Sequence, residues 1–146
     1  MSDNNSLAAI AILAALGDAE SQLKLGACYY QGHGVDKDLA KAAEWFTKAA
    51  EQGNESAQFI LGTCYFRGDG VEKDLVKARM WLRTPAENGK AEAQFLLGSC
   101  YYVDEEHKDF EEAKKWLKKA YEQGDEEAGK TLILIALAES ADKKED

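Results

Sequence analysis

Apolar and polar positions along this chain return in the same order every thirty-six residues. Leu25-Gly26-Ala27-Cys28-Tyr29 comes back as Leu61-Gly62-Thr63-Cys64-Tyr65 and again as Leu97-Gly98-Ser99-Cys100-Tyr101. Gly17, Gly53, Gly89 and Gly124 keep the same frame, as do Trp45, Trp81 and Trp116, with one residue lost in the last step. A period of this length predicts stacked supersecondary units, each too small to bury its own apolar face. Every unit reads as two helices: Ala19 to Tyr30 then Asp38 to Gln52, Glu55 to Phe66 then Asp74 to about Arg83, and Lys90 to Tyr102 then Asp109 to Gln123.

The joints follow from residue chemistry. Gln31-Gly32-His33-Gly34-Val35 and Arg67-Gly68-Asp69-Gly70-Val71 close the first helices, because glycine adopts the left-handed conformation that ends a helix. Asp38, Asp74 and Asp109 stand where a carboxylate accepts the free N–H groups of a helix start, and Asp109 with Glu112 fits a capping box. In the third unit Val103-Asp104-Glu105-Glu106-His107-Lys108 replaces the double-glycine loop, so its corner is expected to differ. Pro85 takes the place of Ala49 and Ala120, and an interior proline costs about 3 kcal/mol, so that helix is expected to end or kink near Thr84. Mid-helix Gly26, Gly62 and Gly98 each cost about 1 kcal/mol, which close approach of the paired helix beside the Trp would offset.

Both ends continue the frame. Leu13 to Gln22 aligns with Ala49 to Gln58, which makes residues 6–16 the second helix of a half-repeat rather than a signal peptide; no Lys or Arg precedes Lys24 to supply a positive n-region. Gly124, Ala128 and Leu132 align with Gly89, Ala93 and Leu97, so 124–141 reads as a closing first-type helix and 142–146 as a frayed tail. The expected architecture is all-α: one domain over 1–146, a right-handed α-solenoid with repeats at 17–52, 53–88 and 89–123. With 146 residues and 45% hydrophobic composition, such a domain needs neither disulfides nor metals for its core.

The net charge of −9 argues against nucleic-acid phosphates and anionic membranes, both of which need a positive footprint. From Asp104 to Asp146 fourteen carboxylates face eight lysines, so most of the acidity lies at this end. No apolar run reaches the roughly 18 residues that span a bilayer. Three cysteines without close pairs fit a reducing compartment, and the expected location is cytoplasmic.

Leu25-Gly26, Tyr29, Gly32-His33-Gly34-Val35, Asp38, Lys41-Ala42, Trp45 and Lys48-Ala49-Ala50, repeated in a frame of thirty-six, resemble the Sel-one-like repeat (SLR) family, relatives of the tetratricopeptide repeats. The resemblance covers about residues 13–137. It implies an α-solenoid serving as adaptor or scaffold for other proteins, with no shared catalytic set. One cysteine-rich secreted branch, linked to penicillin binding and β-lactamase activity, pairs two cysteines per unit. The matching positions here are Ala50 and Ala57, so neither its disulfides nor its activity carries over.

Candidate chemistry narrows in the same direction. Cys28, Cys64 and Cys100 read as small buried apolar residues, and equivalent positions on stacked helices lie about 10 Å apart, too far to share an ion. His33 and His107 fall in loops, the Gly-x-Gly loops follow helices rather than strands, and no carboxylate sits in a recurrent apolar setting. No catalytic, cofactor or metal site is expected. A second apolar stripe does recur on the first helices: Leu23 and Tyr30, Phe59 and Phe66, Phe95 and Tyr102, each pair seven apart and offset from the Leu25–Tyr29 face. By analogy with tetratricopeptide arrays this stripe lines a concave groove for a peptide or protein partner, with Ala27, Thr63 and Ser99 leaving room and Arg67 and Glu92 flanking it. The competing reading makes the stripe ordinary core. Two further expectations are an inhibitory or immunity protein that occludes a basic toxin or hydrolase through Asp104 to Glu112, and self-association through the apolar run Leu132 to Leu137.

Overall fold

The computed structural model describes residues 6–145; Met1 to Asn5 of the expected domain and Asp146 of the expected tail lie outside them. The described residues form eight α-helices and no strand: α1 (Leu7–Ala15), α2 (Ala19–Gln31), α3 (Leu39–Glu51), α4 (Glu55–Arg67), α5 (Leu75–Glu87), α6 (Ala91–Val103), α7 (Phe110–Glu122) and α8 (Glu126–Asp142). They pack as two compact units, one ending at Trp81 and one beginning at Leu82 within α5.

In the first unit α2 lies against α1 and α3, and α3 against α4. Small residues make this packing close. Ala42, Phe46, Ala49 and Ala50 of α3 meet Ala57, Leu61 and Cys64 of α4, while Ile10 and Ala14 of α1 meet Leu25. A side chain such as Leu61, fully buried, contributes about 1.5–3 kcal/mol. Gly26 lets α3 approach α2: a Cβ there would lie 2.6 Å from Phe46 Cε1 and 3.2 Å from the Ala42 carbonyl oxygen. In the second unit α6, α7 and α8 pack around Ala113, Leu117, Ala120, Ala128 and Ile135, and a Cβ on Gly98 would lie 2.7 Å from Leu117 Cγ. The close neighbour of the mid-helix glycine is thus the residue after the tryptophan, Phe46 or Leu117, and not the tryptophan itself. The indoles instead carry lysines on their faces, Lys48 4.5 Å from the Trp45 ring and Lys119 4.8 Å from Trp116.

Glutamines bind the helix ends in both units. Gln52 Nε2 donates to the Gly17 carbonyl and to Gln22 Oε1, and Gln22 Nε2 donates to the Ala14 carbonyl. Gln123 repeats this on Gly89 and Gln94, and Gln94 Nε2 donates to the Ala86 carbonyl. Buried Gln22 and Gln94 are thereby satisfied, as burial of an amide requires.

The corners follow the sequence with two corrections. Gly32 and Gly68 take left-handed φ of 71° and 79° and cap α2 and α4, and Asp38, Asp74 and Asp109 each accept an N–H in the first turn of the next helix. The capping box at Asp109 is only half formed. Its own N–H donates to the Tyr101 carbonyl, as Asp38 and Asp74 donate to Tyr29 and Tyr65, so Glu112 turns away and accepts from Trp116 Nε1 at 3.2 Å. The second correction concerns only the helix end expected before Pro85. Helix α5 does not end near Thr84 but runs to Glu87 through the proline. Pro85 lies in the last turns of the helix and is fully buried, so little helix follows it and its ring contributes packing that offsets the lost bond. The third-unit corner does differ: buried Asp104 accepts from the N–H groups of Glu106 and His107, both at 3.1 Å, so a carboxylate turn does the work of the double glycine.

Candidate functional site

An apolar cleft of about 240 Å³ opens between α2 and α4 in the first unit. Ala27 and Tyr30 of α2 form one wall, Phe59, Ile60, Thr63 and Cys64 of α4 the other, and Phe46 of α3 the floor. Ala27 is small, and Thr63 turns its hydroxyl onto the Phe59 carbonyl at 2.9 Å, so these two positions leave the space. Gln31 and Asp69 supply the polar end. Tyr30 OH donates to Asp69 Oδ2 at 3.4 Å, and burial, followed by the Asp69 charge, pushes the phenol above its ordinary value. Cys64 is pushed up to about 11, chiefly by burial and then by Asp69.

A thiol so raised stays protonated near neutral pH and acts as an apolar wall rather than a nucleophile. Cys100 is buried as well, whereas Cys28 is only half-buried, so the expectation of three core cysteines holds for two. Native protein treated with a maleimide at neutral pH is expected to label first at Cys28, with Cys64 and Cys100 protected until unfolding; peptide mapping over time checks the order.

The structure brings together two of the sequence-predicted residues, Tyr30 and Phe59. Leu23 is half-buried against the α3–α4 core, and Phe66 is half-buried near the end of α4 without lining the cleft. Arg67 is exposed, and its charge is felt at both Tyr30 and Cys64. In the second unit Phe95 and Tyr102 are half-buried against the Leu117 cluster, Tyr102 stands 6.2 Å from the Phe110 ring, and Glu92 is exposed in the first turn of α6. The stripe is therefore half-buried in each unit.

Phe46 and Asp69 escaped the sequence reading. Phe46 follows Trp45 on a second-type helix, and Asp69 stands in a glycine loop. No repeating residue type marks Asp69: the same position of the first repeat is His33. Among the described residues no group of three or more His, Cys, Asp or Glu is placed to hold a metal ion, and no helix is long and apolar enough to cross a membrane.

Two solved structures are similar to this chain in fold. A Sel1 repeat protein from Oxalobacter formigenes superposes with a TM-score of 0.69 at 36% identity, over 86% of this chain and 96% of that one. A protective antigen of uropathogenic Escherichia coli strains displaying an SLR fold gives 0.75 at 38% identity, over 86% of this chain and 27% of that one. Among curated proteins, a putative sel1-like repeat-containing protein of Acanthamoeba polyphaga mimivirus is 39% identical over 46 residues, 32% of this chain and 8% of its own length. DAP3-binding cell death enhancer 1 of Rattus norvegicus is 41% identical over 44 residues, 30% of this chain and 9% of its own length. The chain thus spans less than a tenth of the curated relatives it matches. Sel1 repeats generally mediate protein–protein interactions, and the family is one of non-catalytic scaffolds. With three matched Sel1 repeats at residues 19–54, 55–90 and 91–125, more than half its length, this all-α chain belongs to the Sel1 repeat family.

Proposed function

We propose that this chain is a non-catalytic adaptor module that seats an apolar segment of a protein partner on the aromatic faces of its first-type helices. The supporting observation is the cleft beside Tyr30 and Phe59, which leaves an apolar volume open to solvent where a closed core would fill it. Leu23, Phe66 and Arg67 extend this face in the first unit, and Glu92, Phe95 and Tyr102 form its counterpart in the second. Partner capture is expected to fall at least tenfold in the combined Phe59→Ala, Phe66→Ala and Phe95→Ala variant, with helicity by circular dichroism unchanged. Capture at the wild-type level would sink the proposal, and lost helicity would make the stripe core.

The acidic reading, an inhibitor occluding a basic enzyme, draws on exposed Glu105, Glu106, Asp109 and Glu111. Asp104 is withdrawn from that surface into its turn. A steep fall of association between low and high salt would favour this reading, and indifference to salt favours the apolar face. Self-association is supported separately by α8, where Ile133, Leu134 and Leu137 are 62%, 51% and 62% exposed. Ile133 stands in register with Gly98, so a helix cannot approach α8 as closely as α7 approaches α6. A dimer through this face would dissociate in Leu137→Glu by sedimentation velocity; an unchanged profile rejects it.

A further inference from the structure

We propose that the Tyr30–Phe59 cleft is a selective anchor site, taking one large apolar side chain of the partner together with an adjacent lysine or arginine that pairs with Asp69. This rests on the protein-binding reading above and adds the chemistry of the occupant.

Size sets the first half. The cleft, about 240 Å³, is smaller than the roughly 300–1,000 Å³ of small-molecule and cofactor sites. It exceeds the roughly 150 Å³ of a dry cavity that holds benzene. One phenyl or leucine-sized side chain fits this interval, and Phe46, Ile60 and Phe59 offer it apolar walls.

Charge sets the second half. Among the described residues Asp69 is the carboxylate that lines the cleft and no lysine or arginine does, and the Tyr30 hydroxyl donates to Asp69. Arg67 is the nearby cation to weigh against it. At Tyr30 the influence of Asp69 ranks above that of Arg67, and at Cys64 the order is the same. The charged side chain at the cleft itself is thus the Asp69 carboxylate, and a cation entering beside the apolar anchor is complementary to it. In the first repeat His33 holds the position of Asp69, and in the third the Asp104 turn replaces the glycine loop.

Three probes that share a ring and differ in charge test this on the whole chain: 2-phenylethylammonium, 2-phenylethanol and 3-phenylpropionate, titrated at low salt and followed by methyl and amide chemical shifts in NMR. All three are expected to perturb Ile60, Thr63 and Ala27, with the cation binding about two- to fivefold more tightly than the alcohol and the anion most weakly. Asp69→Asn, which keeps an acceptor for Tyr30, is expected to erase the advantage of the cation and leave alcohol binding unchanged. A cation preference that survives in Asp69→Asn would come from the aromatic faces and overturns the assignment to Asp69. Equal binding of the three probes, or preference for the anion, overturns the charge selectivity while leaving the apolar cleft standing. No perturbation by any probe overturns the anchor site and removes the observation on which the protein-binding reading rests.

Discussion

Gly70→Ala is expected to destabilise the protein by about 3 kcal/mol, against about 1 kcal/mol for Gly53→Ala. Both glycines have positive φ, 72° and 89°, so an alanine at either pays the left-handed penalty. They differ in what a Cβ would meet. Around Gly53 nothing lies within 4 Å, whereas at Gly70 the Cβ would run into the Leu39 carbonyl, with Ala40 N at 3.1 Å. That carbonyl opens the first turn of α3 and cannot swing aside without unwinding it. Gly34, at the matching place in the first repeat, would meet Leu7 Cδ2 at 3.2 Å, the end of a flexible side chain, so Gly34→Ala belongs between the two. Thermal melts should show Gly70→Ala lowered by about 10 °C and Gly53→Ala by a few degrees. Equal shifts in all three would mean that backbone conformation alone sets the cost, and that close approach of the 68–70 loop to α3 contributes nothing.

This graded series shows where sequence reading succeeds and where it stops. The first glycine of each loop was legible as a helix cap, because local chemistry decides it: a residue at left-handed φ ends a helix whatever surrounds it. The second glycine was not, because its constraint comes from a distant segment, the α3 backbone at Gly70 and the Leu7 side chain at Gly34. The same division runs through the site. Tyr30 and Phe59 were readable from a seven-residue spacing on one helix face. Phe46 was hidden because the cleft floor comes from the paired helix, and helical spacing on one element says nothing about a neighbour. The helix end expected at Thr84 failed for a related reason: helix propensity counts the missing hydrogen bond and does not count the packing of a buried ring. The glutamine bonds that tie Gln52 to Gln22 and Gln123 to Gln94 went unread, since Gln carries no periodic apolar signal. What the period does supply is equivalence, so each geometry seen once could be sought again thirty-five or thirty-six residues on.

Phe46→Ala is expected to cost about 3–5 kcal/mol, the loss typical of a fully buried phenyl. Phe46 is 1% exposed, joins the α3–α4 core, and stacks tilted on Tyr30 with ring centroids 6.4 Å apart. Phe59, half-buried on the opposite wall, should lose no more than about 2 kcal/mol on truncation, because part of its surface is already in water. Denaturant unfolding separates the two, and the contrast decides what the stripe is. If Phe59→Ala proves as damaging as Phe46→Ala, the cleft is a packing defect within a core. If it is mild yet abolishes probe binding, the wall exists for a ligand. A second cycle tests why the glycine is there. Gly26→Ala alone should destabilise by about 1–2 kcal/mol, since its Cβ would lie 2.6 Å from Phe46 Cε1 and the ring must move. In the Phe46→Ala background that obstacle is gone, and alanine exceeds glycine in helix propensity by about 1 kcal/mol. The same substitution should then become neutral or stabilising despite the Ala42 carbonyl at 3.2 Å. A coupling of about 1–3 kcal/mol between the two sites is the expected result, and strict additivity would show that Gly26 does not yield its space to the Phe46 ring.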